Sequence, residues 1–392
     1  MDIFNKCFDF NEAKQVMQAG YYPYFIPMSG NDGTIVDYQD HRCIMCGSNN
    51  YLGLTKHPEV LRAALQAVER FGTSCTGSRF LNGTLELHEQ LENELAQWVN
   101  KPAALVFTTG MQTNLGVISS LVGRKDIVII DKASHASIID GARLSWGKIV
   151  RFLHNDLGHL SEVLEELPAD CGKLVIVDGV YSMEGDLAPL PGIVELCRKH
   201  GARLLVDDAH AIGVIGEGKG SAAHFGLSNQ VDLIMGTFSK AMASLGGFIA
   251  GDQDVIHFIK HHARSFIFSA SISPSNAAAA LAALHVMRKE PERIRRVNEI
   301  GEFMRREFTV LGLDISNSST PIVPIHIGGM NRTFIAWKKL FDRGVFVNAS
   351  VTPAVPEGQE LLRTSFMATH TDEQLLQVLS AFESVFKETG LI

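Results

Sequence analysis

The chain has 392 residues, 46% apolar and 20% charged, with a formal net charge of −8 at pH 7. That composition suits a folded protein with a sizeable core, long for one domain and ordinary for two, and it excludes wholesale disorder. Lys and Arg are scattered without a basic block, so a phosphate backbone is a poor partner and nucleic acid is excluded as a ligand.

In chain order, residues 1–55 read as an arm. Charged Asp2, Lys6 and Asp9 among its apolar residues argue against a signal peptide. Apolar spacing then predicts helices over 57–71 (Val60, Leu61, Ala64, Leu65, Val68) and 86–99 (Leu87, Leu91, Leu95, Trp98). Strands are expected at 104–107, 127–130, 149–152, 174–177, 203–206, 233–236 and 246–250, alternating with helices at 112–121, 137–144, 157–167 and 190–200. Near-continuous apolar runs at 173–178 and 202–207 suit a sheet covered by helices on both faces, and each ends in an aspartate. After a helix at 274–289 the texture changes. A charged helix at 290–311 leads to strands at 322–327, 344–347 and 361–365 mixed with two helices.

The expected architecture is α/β: a large domain (56–289) with a mostly parallel central sheet, and a smaller C-terminal α+β domain (290–392). The longest apolar stretch, 277–284, falls far short of the ~20 residues of a membrane span. The sequence thus reads as a soluble, cytoplasmic protein. Six cysteines give no disulfide framework, and the Cys43/Cys46 pair has no second pair to complete a zinc site; both read as small apolar fillers of a short strand. No metal site is expected.

Five segments at strand ends carry candidate chemistry. In 235–240 (MGTFSK), Lys240 follows a buried strand, where burial would make it a nucleophile toward an aldehyde; Thr237 and Ser239 could bind a phosphate. In 204–210 (LLVDDAH), Asp207 ends an apolar strand and needs a cationic partner, which a protonated pyridine nitrogen supplies; His210 lies three residues on. In 107–114 (FTTGMQTN), Gly110 permits close backbone approach, and a helix N-terminus offers N–H groups to a phosphate. In 131–141 (DKASHASIIDG), His135 could lie flat on a heteroaromatic ring, and in 177–186 (VDGVYSMEGD), Ser182 could donate to a phenolic oxygen. Each signal also has an ordinary structural explanation. Together, a lysine for an aldehyde, an aspartate for a pyridinium, a histidine for a ring face and glycine-containing turns for a phosphate describe pyridoxal 5′-phosphate. The glycine-rich stretch 213–220 fits no nucleotide-binding pattern and reads as a flexible surface loop; His261 and His262 read as a solvated helix face.

These segments, with 48–54 (SNNYLGL), 134–141 (SHASIIDG), 206–210 (VDDAH) and 236–240 (GTFSK), resemble the α-oxoamine synthases. These are fold-type I pyridoxal-phosphate-dependent transferases that act as homodimers with shared active sites. The match runs from Ser48 to Arg363. It implies that Lys240 bonds the cofactor aldehyde, Asp207 holds the pyridine nitrogen and His135 stacks on the ring. Ser182 and His210 would reach the phenolic oxygen or the substrate carboxylate. Gly110, the backbone of Met111, Thr237 and Ser239 would hold the phosphate, with a further contact from Ser269 of the partner subunit. Asn49 and Arg363 would bind the amino-acid carboxylate.

Within the family, 76–84 (TGSRFLNGT) with His88 and Glu92, 178–186, 154–156 (HND) and 366–371 (FMATHT) are most similar to the soluble bacterial serine palmitoyltransferase branch. Met111 stands where an aromatic is common, and 351–353 lacks an arginine found in some members of that branch. The resemblance implies decarboxylative condensation of L-serine with a long-chain acyl-CoA, palmitoyl-CoA, giving 3-ketodihydrosphingosine, CoA and carbon dioxide. The alternatives are a related synthase using glycine, alanine or a shorter acyl-CoA, a fold-type I aminotransferase, or an inactive homologue serving as a regulatory subunit. Such partners lose the lysine that is present here as Lys240.

Overall fold

The computed structural model describes residues 2–38 and 41–392. The chain divides into two compact units, one of residues 49–299 and one of residues up to 48 together with 300–392.

In the larger unit a seven-stranded sheet runs in the order Ala103–Phe107, Gly247–Gly251, Leu233–Thr237, Arg203–Asp207, Lys173–Asp178, Ile127–Asp131, Lys148–Phe152. From Leu233–Thr237 to Lys148–Phe152 all neighbours are parallel, and Gly247–Gly251 is antiparallel to both of its neighbours. The expected mostly parallel sheet is therefore present, with one reversed strand inside it. Its central strands read as continuous apolar runs because helices cover both faces. Leu105, Phe107, Ile130, Ile176 and Leu205 pack with Val117, Ile118, Ile138 and Ile259 from helices on one face. The helices Glu86–Trp98, Leu157–Glu166 and Leu190–His200 pack on the sheet's strands as well.

In the smaller unit the strands Gly30–Asp32, Ile35–Tyr38 and His41–Met45 form an antiparallel run, which Val345–Phe346 joins in parallel. The residues read from sequence as an arm thus supply three strands of a sheet. Their short apolar runs, broken by polar residues, leave little period for a pattern to show. A second sheet pairs Leu361–Ser365 with Ile322–His326 and Asn348–Ser350. Trp337, Phe341, Phe366, Phe382 and Phe386 fill the core between these sheets and the helices Met330–Asp342 and Asp372–Thr389. Cys43 and Cys46 are wholly buried in this core, and burial pushes the Cys43 thiol up to about 11. Among the described residues no helix is long and apolar enough to cross a membrane.

Candidate active site

The parallel strands of the larger unit end at one edge of its sheet, where open α/β sheets gather their ligands. Ala103–Phe107 ends at the same edge, since Phe107 and Thr237 both face Gly247 across the reversed strand. A cavity of about 230 Å3 opens there. Gly110, Met111, His135, Asp207, His210, Thr237, Ser239 and Lys240, all singled out from sequence, line it together with Ser137 and Asp178.

Within the lining, the Asp207 carboxylate is 3% exposed. Its Oδ2 accepts from Asn114 Nδ2 at 2.7 Å and its Oδ1 from the Ala209 N–H at 3.0 Å. Asn114 Nδ2 also donates to Ser137 Oγ at 2.8 Å, and that hydroxyl lies 2.8 Å from His135 Nδ1. Buried Asn114 and Ser137 were passed over in the sequence because neutral residues inside helices carry no anomaly of pattern. Asp178 is paired opposite Asp207 in adjacent strands. Burial, then the Asp207 charge, push the Asp178 carboxyl well above its usual range, opposed by the His135 N–H that donates to its Oδ2 at 3.2 Å. Burial pushes the His135 imidazole below its usual range, with Asp207 pulling it back up and Lys240 adding to the fall. A neutral ring is suited to face contact with a cationic heterocycle.

Another part of the lining is built for an anion. Thr109 caps the helix Gly110–Leu121 by accepting from the Gln112 N–H at 3.1 Å, while the N–H groups of Gly110 and Met111 have no acceptor within the helix. A Cβ on Gly110 would come within 2.9 Å of Thr237 Oγ1 and 3.2 Å of Met235 Cε, so only glycine lets the helix end approach the strand this closely. Thr237 donates to the Gly246 carbonyl at 2.9 Å and lies 2.9 Å from Ser239 Oγ.

The remaining predicted residues lie outside the cavity lining. Asn49 reaches it indirectly: Tyr51 Oη is 2.7 Å from His210 Nδ1 and donates to Asn49 Oδ1 at 3.3 Å. Tyr51, 1% exposed, is a site residue that the sequence quotes within a motif without revealing its partner, 159 positions away. Ser182 sits half-buried in the loop after Lys173–Asp178, and Ser269 Oγ accepts from Gln112 Nε2 at 3.0 Å. Arg363 is buried on Leu361–Ser365 in the smaller unit.

The glycine-rich stretch 213–220 departs from expectation, being mostly buried where a flexible surface loop was predicted. It wraps the buried Asp208 carboxylate, which accepts from the Ser221 N–H at 2.9 Å and from the Ser221 hydroxyl. Gly220, at φ 101°, leaves room that a Cβ would close to 2.2 Å from Asp208 Oδ2. Burial, against these hydrogen bonds, pushes Asp208 up to about 7.

Pyridoxal phosphate fits this donor set. The buried Asp207 carboxylate accepts from two neutral donors and so accommodates a pyridinium, the glycine-built cradle beside the helix end suits a phosphate, and Lys240 supplies an amine for an aldehyde. Comparison with known proteins agrees. The family model for aminotransferase class I and II matches residues 42–382, and the chain belongs to that family of pyridoxal-phosphate enzymes.

Its relatives narrow the assignment. The chain is 47% identical over 383 residues to the serine palmitoyltransferase of Sphingobacterium spiritivorum, covering 97% of this chain and 96% of that one. It is 43% identical over 385 residues to the 8-amino-7-oxononanoate synthase of Symbiobacterium thermophilum, covering 97% and 98%. The serine palmitoyltransferase of S. paucimobilis with a bound PLP–myriocin aldimine superposes with a TM-score of 0.97 at 35% identity over the full length of both chains. The protein is a pyridoxal-phosphate-dependent acyltransferase of the α-oxoamine synthase type.

Proposed function

We propose that the protein condenses L-serine with palmitoyl-CoA, releasing CoA and carbon dioxide and giving 3-ketodihydrosphingosine. Support comes from the 44–47% identity to several serine palmitoyltransferases. The observation that carries it is the meeting of Lys240, Asp207, His135 and the Gly110 helix end on one cavity.

When bound, pyridoxal phosphate supplies an electrophilic aldehyde and an electron-withdrawing pyridinium. In this reading Asp207, held in place by Asn114 and the Ala209 N–H, would keep a proton on the ring nitrogen. His135, neutral, would contact the ring. The helix end at Gly110 and Met111, with Thr237 and Ser239, would hold the phosphate group. Lys240 Nζ would hold the aldehyde at rest and, once displaced from it by the serine amine, would be free to accept the Cα proton. His210, oriented by the Tyr51 hydroxyl, aligns the serine carboxylate. The serine Cα would bond the thioester carbonyl carbon as CoA leaves as its thiolate; the Cα–carboxylate bond would then break to release carbon dioxide, and the electron pair left at Cα would take a proton back from Lys240 Nζ. The enzyme is proposed to act as a homodimer in the cytoplasm, Ser269 of the partner subunit adding to the phosphate site.

The test is titration of the purified holoenzyme with L-serine, glycine and L-alanine, before and after palmitoyl-CoA. A serine-selective change in the visible cofactor band, CoA release on adding palmitoyl-CoA, and sedimentation as a dimer are expected. Lys240→Ala should abolish both the band and turnover. Preference for glycine or alanine would move the protein to another α-oxoamine synthase activity, and amino transfer to a keto acid without CoA consumption would replace the reading with an aminotransferase.

A further inference from the structure

One histidine outside the cavity joins two of the segments that form it. His154 follows the strand Lys148–Phe152. Its Nδ1 lies 3.1 Å from Asp131 Oδ1 and its Nε2 3.1 Å from Asp186 Oδ2. Asp131, 1% exposed, ends a parallel strand and begins the turn that presents His135. Asp186 closes the loop that carries Ser182: the Tyr181 N–H donates to the Asp186 carbonyl at 3.0 Å.

The residue after the histidine repeats the connection. The Asn155 N–H donates to Asp131 Oδ2 at 2.9 Å, and Asn155 Nδ2 donates to Asp186 Oδ2 at 2.9 Å and to the Leu187 carbonyl at 3.2 Å. Asn155 takes a left-handed φ of 53° to make these bonds. The buried Tyr181 ring stands edge-on to the imidazole, with centroids 4.4 Å apart.

A neutral imidazole has one N–H and could satisfy one carboxylate only; the other would face a ring lone pair. With a carboxylate at each nitrogen, both positions call for a donor, and the imidazolium provides two. Against the cost of burial, the hydrogen bonds it donates to Asp131 and Asp186 raise His154 to about 10.

We propose that His154 is a positioning residue for the cofactor site: as a cation between Asp131 and Asp186, it locks the His135 turn to the Ser182 loop. This rests on the reading of His135 and Ser182 as cofactor contacts. The lock acts through those two residues and touches neither cofactor nor substrate.

The experiment is a double-mutant cycle of His154→Ala and Ser182→Ala, read by pyridoxal-phosphate dissociation constant, absorption maximum of the bound cofactor, and hydrogen exchange of the apoprotein. His154→Ala is expected to weaken cofactor binding about tenfold, to shift the absorption maximum, and to raise exchange at 131–136 and 179–187. Ser182→Ala alone should also weaken binding, yet add little on top of His154→Ala, because the loop it sits on is already released. Asp186→Asn, which keeps the side-chain shape and removes one of the two charges, should act in the same direction and decides the matter should His154→Ala fold poorly. Wild-type affinity and spectrum in both His154→Ala and Asp186→Asn, or fully additive effects with Ser182→Ala, would overturn the proposal. Lys240→Ala separates the two levels: a visible band that survives it overturns the cofactor reading itself, whereas a lost band with silent His154 and Asp186 variants removes the lock alone.

Discussion

Beside Asp207 a single carboxamide carries two loads. Both N–H bonds of Asn114 are used, one on Asp207 and one on Ser137, and its buried Oδ1 has no hydrogen-bond partner among the described residues. The charge-assisted bond to Asp207 fixes which way that carboxylate faces. Asn114→Asp would replace the donor with a second carboxylate about 2.7 Å from the first. Two such groups cannot both ionise in a buried site, and the proton they share would compete with the pyridinium for Asp207. We expect Asn114→Asp to bind pyridoxal phosphate at least about tenfold more weakly, with the deficit varying with pH. Titration of the apoprotein measures it, and unaltered affinity across pH would remove Asn114 from this role. Asp207 and Lys240 were legible in the sequence because an ionisable group ending an apolar run is out of place. Asn114 was not: it is a neutral residue on a helix, and its meaning depends on a partner 93 positions away.

In the proposed reading the helix Gly110–Leu121 forms the phosphate-binding end of the site. Its first residue packs against Thr237 and Met235, and Gly247 in turn packs against Gly110, where a Cβ on Gly247 would come within 2.7 Å of the Gly110 Cα. Thr237 is pinned by its bond to the Gly246 carbonyl and yields little. Gly110→Ala should therefore displace the helix end from the strand while leaving the rest of the helix in place, since alanine is the better helix former. The expected outcome is cofactor affinity reduced roughly tenfold with an apoprotein melting temperature little changed. A large fall in melting temperature would instead make Gly110 a packing residue for the whole unit. Most elements of the larger unit could be read from the chain because period and length separate its long helices from its short apolar strands. Their order across the sheet could not, since it depends on which distant strands pair. The reversed Gly247–Gly251 strand looks locally like any other.

For the molecule as a whole, histidines set opposing responses to pH. Burial, helped by the Arg79 guanidinium, lowers His88 to about 4, and burial lowers His370 to about 4. Unfolded, both titrate near 6.5. Between about pH 6.5 and 4 the unfolded chain binds more protons than the native one, so these two residues withdraw stability as pH falls through that window. His154, raised to about 10, acts in the other direction: its contribution is complete below about pH 6.5 and is lost as pH rises toward 10. His154→Asn should accordingly lower the melting temperature most at pH 6 and progressively less toward pH 10. His370→Asn should lessen the loss of stability on acidification. Thermal melts at pH 5, 7 and 9.5 check both signs, and a His154→Asn deficit that grows with pH would contradict the assignment of charge.

The strand His41–Met45 takes Val345–Phe346 as its parallel neighbour, some 300 residues further on. A chain synthesised in the N-to-C direction therefore presents the sheet of His41–Met45 with one edge unfilled, and that edge waits while the larger unit is synthesised. At translation rates of about 5–20 residues per second the wait is roughly 15–60 s. Throughout it, the unpaired backbone N–H and C=O groups of His41–Met45 form an open strand edge, the kind of surface that recruits other chains. The larger unit is encoded in one unbroken stretch and can close upon itself as it leaves the ribosome. The other unit has its two parts on either side of that stretch, so its hazard lies in biogenesis: nascent chains stalled or cleaved before residue 345 carry that edge without its natural partner.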